Sequence, residues 1–232
     1  MTTRSPLLPL IALVAGLAGC DDMATEPSML DAPRFLAVRA TPPALAPAAD
    51  VTLEALTWEI DTVRWDACPT PWAPTSPLSC AAGAVPLGVG NPITFTPPDG
   101  LAQLWIKAEA DGAPDVLPMI ATLATDGPAA NPTILGVAPA EGALPAAVAP
   151  GATLPLRALL GPATPVPDGA DPRRVVSFYT SAGAFDPYRT FDDGETALLA
   201  PDAPTTAELR VVVRDAAGGT GWYATTIAVE AP

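Results

Sequence analysis

Short runs of alternating apolar and polar residues, set between clusters of turn formers, recur along the chain from Phe35 to Val229. Val51, Leu53 and Ala55 alternate with Thr52 and Glu54, the two-residue period of a half-buried strand. Leu56, Trp58 and Ile60 continue on the opposite parity. That one-residue slip predicts a bulge or a sheet-switching bend near Ala55–Leu56. Later, Leu209, Val211 and Val213 alternate with Arg210, Val212 and Arg214, and the run from Trp222 to Val229 places Tyr223, Thr225, Ile227 and Val229 on one face. Pro97-Pro98-Asp99-Gly100, Asp111-Gly112 and Gly218-Gly219 supply turns between such runs. No segment sustains a helical period, so the pattern predicts an all-β protein.

The runs repeat. Pro33–Val38 matches Pro132–Val137, and Ala46–Leu56 matches Ala149–Leu159. Val63-Arg64-Trp65 parallels Val176-Ser177-Phe178, and Leu104–Ala108 parallels Leu209–Val213. A spacing of about 100 residues is the length of one immunoglobulin-like β-sandwich, and it marks duplicated domains rather than a solenoid. The predicted organisation is a first sandwich over 33–126, a linker over 127–131 and a second sandwich over 132–232. Asp126-Gly127-Pro128-Ala129-Ala130-Asn131 has linker composition, so few contacts are expected to cross it.

Ahead of the repeat, Arg4 precedes an apolar run, Leu10 to Gly19, that ends in small residues and Cys20. This is the layout of a secretory signal, and the run is too short to span a bilayer. Leu17-Ala18-Gly19-Cys20 resembles the lipobox of bacterial lipoproteins. The resemblance implies that residues 1–19 form a cleaved signal peptide and that the Cys20 thiol is diacylated. An ordinary secretory signal with an incidental cysteine is the alternative. Two or more acyl chains anchor a protein stably, so the membrane is an expected partner without a transmembrane helix. Residues 20–32 then form the lipidated N-terminus and a tether, because DDMATEPSMLDA is polar, acidic and aperiodic.

Composition supports strands over helices. The 31 prolines argue against long helices and suit turns and edge strands. Hydrophobic residues make up 49% of the chain, but aromatics only 6%, so each core is expected to be modest. Net charge is −14 and Lys107 is the only lysine, which disfavours nucleic acid as a partner and docking on anionic lipid. The acidity reads as solubility or as cation binding.

Of the three cysteines, Cys20 is assigned to lipid. Cys68 and Cys80 remain as an even pair in an oxidising compartment, which predicts a disulfide. Free thiols or a metal site are the alternatives, and a metal site would lack histidine altogether. The pair would staple the proline-rich stretch PTPWAPTSPLS, unlike the inter-sheet bond of antibody domains. Trp65 is a candidate for the core place of the strand-C tryptophan of such domains.

The inventory for catalysis is thin. There is no histidine, no Gly-x-Ser-x-Gly, no phosphate loop and no Ser-x-x-Lys. The reading is therefore not an enzyme, with no cofactor. Asp186, Asp192, Asp193 and Glu195 are calcium candidates, although their spacing matches no EF-hand and Asp-Asp-Gly is also a common turn. Trp72, flanked by prolines, is a candidate anchor for a partner or a sugar, or else it packs back onto its own domain.

FLAVRATPPALAPAADVTLEAL (35–56), VRWDACP (63–69), SFYTSAGAFD (177–186) and VVVRDAAGGTGW (211–222), together with the lipobox, resemble myxobacterial-type bacterial lipoproteins with tandem immunoglobulin-like domains. The resemblance implies location and architecture: an exported protein, lipid-anchored to the cell envelope at its periplasmic face or the cell surface. The functional expectation is a non-catalytic binding or spacer module that meets an envelope protein or polysaccharide. A structural subunit of an envelope assembly, a calcium-stabilised adhesion module and an unrecognised hydrolase are the alternatives.

Overall fold

The computed structural model describes residues 26–230 apart from 47, 76–77, 140–141, 164, 166–170 and 193. These residues form sixteen strands and no helix. None of them therefore lies in a helix long and apolar enough to cross a membrane.

The first sandwich contains β1 (Arg34–Thr41), β2 (Val51–Trp58), β3 (Val63–Cys68), β4 (Val85–Val89), β5 (Ile93–Phe95), β6 (Gln103–Ala110) and β7 (Met119–Ala124). One sheet has the order β1-β2-β5 and the facing sheet β4-β3-β6-β7. The alternation read from the sequence sets the core: Val51, Leu53 and Ala55 face Val63, Trp65, Ile106 and Ala108. Trp65 is fully buried, and its indole Nε1 donates to the Gly90 carbonyl at 2.7 Å. Burial of a ring that size contributes several kcal/mol only if its N–H finds a partner. The neighbouring Asn91 fixes the same loop to the opposite sheet. Its Nδ2 donates to Ala55 O and its Oδ1 accepts from Ala55 N, both at 2.8 Å.

The second sandwich contains β8 (Ile134–Ala138), β9 (Ala147–Val148), β10 (Thr153–Leu160), β11 (Val175–Thr180), β12 (Ala184–Asp186), β13 (Arg189–Phe191), β14 (Thr196–Leu199), β15 (Thr205–Arg214) and β16 (Thr220–Val229). Its sheets run β12-β14-β10-β8 and β13-β11-β15-β16-β9, with β9 parallel to β16. Phe178 takes the central place that Trp65 holds in the first unit, tilted against Phe185 at 5.4 Å. The fold is thus two immunoglobulin-like β-sandwiches in tandem. The β15–β16 hairpin is the longest element, paired from Thr205↔Val229 to Arg214↔Thr220. The Asp215 carboxylate closes its turn by accepting from the backbone N–H groups of Ala217 and Gly219.

Each sandwich has its own core, and a third apolar cluster joins the two. Leu30, Leu36, Ala37, Tyr179 and Val212 are buried together, with Leu56, Trp58 and Trp222 against them. This explains the parity slip in β2. Leu56 and Trp58 face the junction, on the side of β2 opposite Val51, Leu53 and Ala55. The register does shift here, but in the partner strand, between Phe35 and Ala37 of β1, opposite Thr57 and Leu56. The extra residue in β1 is Leu36, one of the most deeply buried side chains of the junction.

Candidate binding surface at the junction of the two sandwiches

The outer face of the β13-β11-β15 sheet builds one side of the junction. Pairing places Phe191, Val175 and Arg214 in one cross-strand row and Arg189, Ser177 and Val212 in another. Thr190, Val176 and Val213 fall between them and point to the core, because side chains alternate across a strand. Strand β1 covers part of this outer face. Arg39 of β1 lies over the Trp222 ring at 4.0 Å and pairs with Glu54 of β2. Arg214 donates from Nη2 to the Leu36 carbonyl at 2.6 Å.

Two further segments cross the junction where the sequence predicted few contacts. Asn131, at the end of the linker, donates to Ala40 O at 2.7 Å and accepts from Thr220 N at 3.0 Å, so one side chain ties β1 to the start of β16. The stretch Glu26–Leu30, read from composition as tether, lies along the end of β11. Thr180 N donates to Ser28 O, and Leu30 N donates to Thr180 O, both at 2.8 Å. Ser28 Oγ accepts from Phe185 N at 2.8 Å, and Ser28 and Leu30 are buried. Arg34 closes the segment with bonds to the carbonyls of Pro27 and Met29 and an ion pair to Asp31. Backbone pairing and the one buried side chain of Leu30 hold these residues, and an aperiodic polar stretch carries little sign of either.

Between Phe35, Leu36 and Met119 of the first sandwich and Tyr179, Arg189 and Arg214 of the second lies a cleft of about 580 Å³. Sequence reasoning singled out none of these residues. The arginines of β13 and β15 line one cleft because both strands flank β11.

The residues singled out from sequence lie elsewhere. Cys20 falls outside the described residues. Cys68 and Cys80 form a disulfide with a Cα–Cα distance of 5.8 Å, stapling the loop between β3 and β4. Within that loop Trp72 packs back onto its own sandwich, with Lys107 Nζ 4.6 Å from its ring centroid. Lys107 is almost fully buried and is paired with Asp66 at 3.3 Å and Glu109 at 2.8 Å, while Glu109 also binds Arg64. Burial pushes the Glu109 carboxyl up, but the hydrogen bonds from Lys107 and Arg64 outweigh it and hold the group below the ordinary glutamate value.

Of the calcium candidates, Asp193 lies outside the described residues. Asp192 sits at a positive φ of 49° and its Oδ1 accepts from the backbone N–H of Arg174 at 3.1 Å and from Arg174 Nε at 3.4 Å. Asp186 and Glu195 are exposed. Among the described residues no group of three or more acids, cysteines or histidines is arranged to hold a metal ion. Sheet edges offer little as an assembly surface at β4, where Pro86 lacks an N–H and Gly88 interrupts a five-residue strand.

No family model matches the chain, and no curated protein matches it in sequence. Among solved structures it is similar to the dimeric latent PorU from Porphyromonas gingivalis, at 10% identity and a TM-score of 0.25, over 86% of this chain and 24% of that one. The Yersinia pseudotuberculosis adhesin InvE is similar at 14% identity and a TM-score of 0.29, over 85% of this chain and 60% of that one. Murine CEACAM1b is similar at 10% identity and a TM-score of 0.24, over 87% of this chain and all of that one. The chain thus spans less than two thirds of the length of the first two.

Proposed function

We propose that this chain is an exported lipoprotein, held at the cell envelope by lipid on Cys20, and that it works as a non-catalytic binding module. The observation that carries the reading is the buried junction. Leu36, Val212 and Trp222 belong to different sandwiches yet pack as one cluster. Two sandwiches locked in this way present their loops and the cleft between them at fixed geometry. That lowers the ordering cost of binding a partner, which a loosely strung pair would have to meet on each encounter. The lipobox-like Leu17-Ala18-Gly19-Cys20 supports the anchor, and the Cys68–Cys80 bond suits an oxidising compartment. Glu26 already belongs to the folded body, and six residues reach at most about 20 Å. An anchor at Cys20 would therefore hold the body close to the bilayer. The partner is an envelope protein or a polysaccharide.

Fractionation of Cys20→Ala tests the anchor. The native chain should stay in the membrane fraction after a carbonate wash. The variant should either become soluble or accumulate with its signal uncleaved. A variant processed after residue 19 that still remains with the membrane contradicts the reading.

A further inference from the structure

Arginine is scarce here and mostly neutralised. The chain has 11 basic residues against 25 acids. Arg34, Arg39, Arg64, Arg173, Arg174 and Arg210 each pair with a carboxylate. Two arginines of the junction cleft do not. Arg189 is exposed, stacked over the Tyr188 ring at 5.3 Å, and has no ion pair among the described residues. Arg214 is half-buried, hydrogen-bonds the Leu36 carbonyl and Tyr179, and has no carboxylate partner among the described residues. Burial lowers its pKa, Tyr179 opposes that, and the like charge of Arg189 adds to it. The guanidinium nevertheless stays charged, because arginine starts from so high a value.

Two aspartates also line the cleft, and both are engaged. Asp171 binds Arg173 at 2.7 Å, and Asp215 accepts the N–H groups of its own hairpin turn. Around these two guanidiniums the walls are apolar and aromatic: Phe35, Leu36, Met119, Val175 and a half-exposed Phe191. A concave site at a domain interface, a few hundred Å³ in volume, apolar with a few converging polar groups, is the form taken by small-ligand sites. A planar fork with donors left over, and with no carboxylate partner among the described residues, matches a carboxylate, which accepts two parallel N–H bonds.

We infer that the cleft between the sandwiches binds a small carboxylate-bearing ligand, with the carboxylate held between Arg189 and Arg214 and an apolar portion lying against Phe35, Met119 and Val175. This deepens the binding reading by giving the chemistry of one ligand. It does not depend on the lipid anchor, so the Cys20→Ala result and the result below stand or fall separately.

The test is titration of the signal-free chain with phenylacetate, followed through the backbone amide resonances of Tyr179, Arg189 and Arg214. Phenylacetamide, the neutral isostere, and inorganic phosphate serve as comparison probes. Phenylacetate should bind saturably and at least about tenfold more tightly than either of them, since a charge-assisted pair and an apolar contact are both required. Arg189→Gln should weaken it about fivefold or more while leaving the melting temperature nearly unchanged, because Arg189 is exposed and has no ion pair among the described residues. Arg214→Gln should weaken it too, but it also removes the bond to Leu36 and so is read only alongside Arg189→Gln. Equal binding of phenylacetamide would show a plain apolar groove, and equal binding of phosphate would show undirected charge. Either result overturns the inference, as does no binding or an Arg189→Gln variant that binds like the native chain.

Discussion

Arg214 Nη2 donates to the backbone carbonyl of Leu36 across the junction, over 2.6 Å and 178 positions of sequence. The donor stands on the outer face of the second sandwich, and the acceptor is the extra residue of a bulge in the first. The Leu36 side chain and its carbonyl therefore both serve the junction. Leu36→Ala should destabilise the chain by about 2–5 kcal/mol, as truncation of a fully buried leucine does. The expected signature in denaturant is a split of one transition into two, with the cores around Trp65 and Phe178 melting separately. A single transition at the native midpoint would mean that the cluster contributes nothing.

Asn131 offers a second, smaller perturbation. Asn131→Ala removes the donor to Ala40 O and the acceptor for Thr220 N. Loss of bonds to partly buried backbone groups costs about 1–3 kcal/mol. Hydrogen exchange at the Thr220 amide should accelerate, while exchange at Val211, inside the hairpin ladder, should change far less. Equal acceleration at both would indicate general unfolding instead of a local clamp.

Much of the fold was legible from period alone, and the junction was not. Val51, Leu53 and Ala55 face one core, so their alternation reads cleanly as a strand. Leu56 and Trp58 are apolar for a different reason, burial against the other sandwich, and from one sequence that looks like a slip of register. Val212 carried the same signal. It is the one apolar residue between Arg210 and Arg214 on the outer face of β15, and it is fully buried. The repeat also placed Val213 opposite Ala108, whereas the ladders make it the counterpart of Ala110. Val213 pairs with Val176 as Ala110 pairs with Val63. Of the site residues, the Cys68–Cys80 bond followed from counting. The placing of Arg189 and Arg214 on one cleft depends on strand order, which local pattern does not contain.

The Lys107 network should make stability sensitive to acid. Glu109 has a folded pKa below its ordinary value of 4.5, since the hydrogen bonds from Lys107 and Arg64 outweigh burial. A depressed carboxylate pKa contributes stability that is complete above the unfolded value and lost as pH falls through the folded one. Native stability should therefore drop below pH 4.5, and Glu109→Gln should flatten that drop. At pH 7 the variant should be weaker by about 1–3 kcal/mol, because Lys107 stays buried with Asp66 alone. Denaturant titrations at pH 7, 4 and 3 check both signs, and identical pH profiles would contradict the assignment.

Cys68 and Cys80 are 12 residues apart, a loop whose closure is worth about 3 kcal/mol in the chain-entropy account. Reduction, or a Cys68→Ala/Cys80→Ala double variant, should lower stability by about that amount. It should also loosen Trp72 from Lys107, raising the quenching of tryptophan fluorescence by acrylamide. Unchanged quenching would show that the prolines alone hold the loop.

The central claim is that the two sandwiches move as one body. Amide ¹⁵N relaxation of a chain lacking residues 1–19 measures this most directly, because it reports the tumbling of each sandwich separately. A single rotational correlation time, shared by amides of β3 and β6 and by those of β11 and β15, is the predicted result. Two shorter and different times would mean that the junction opens freely in solution, and would contradict both the rigid module and the cleft built upon it.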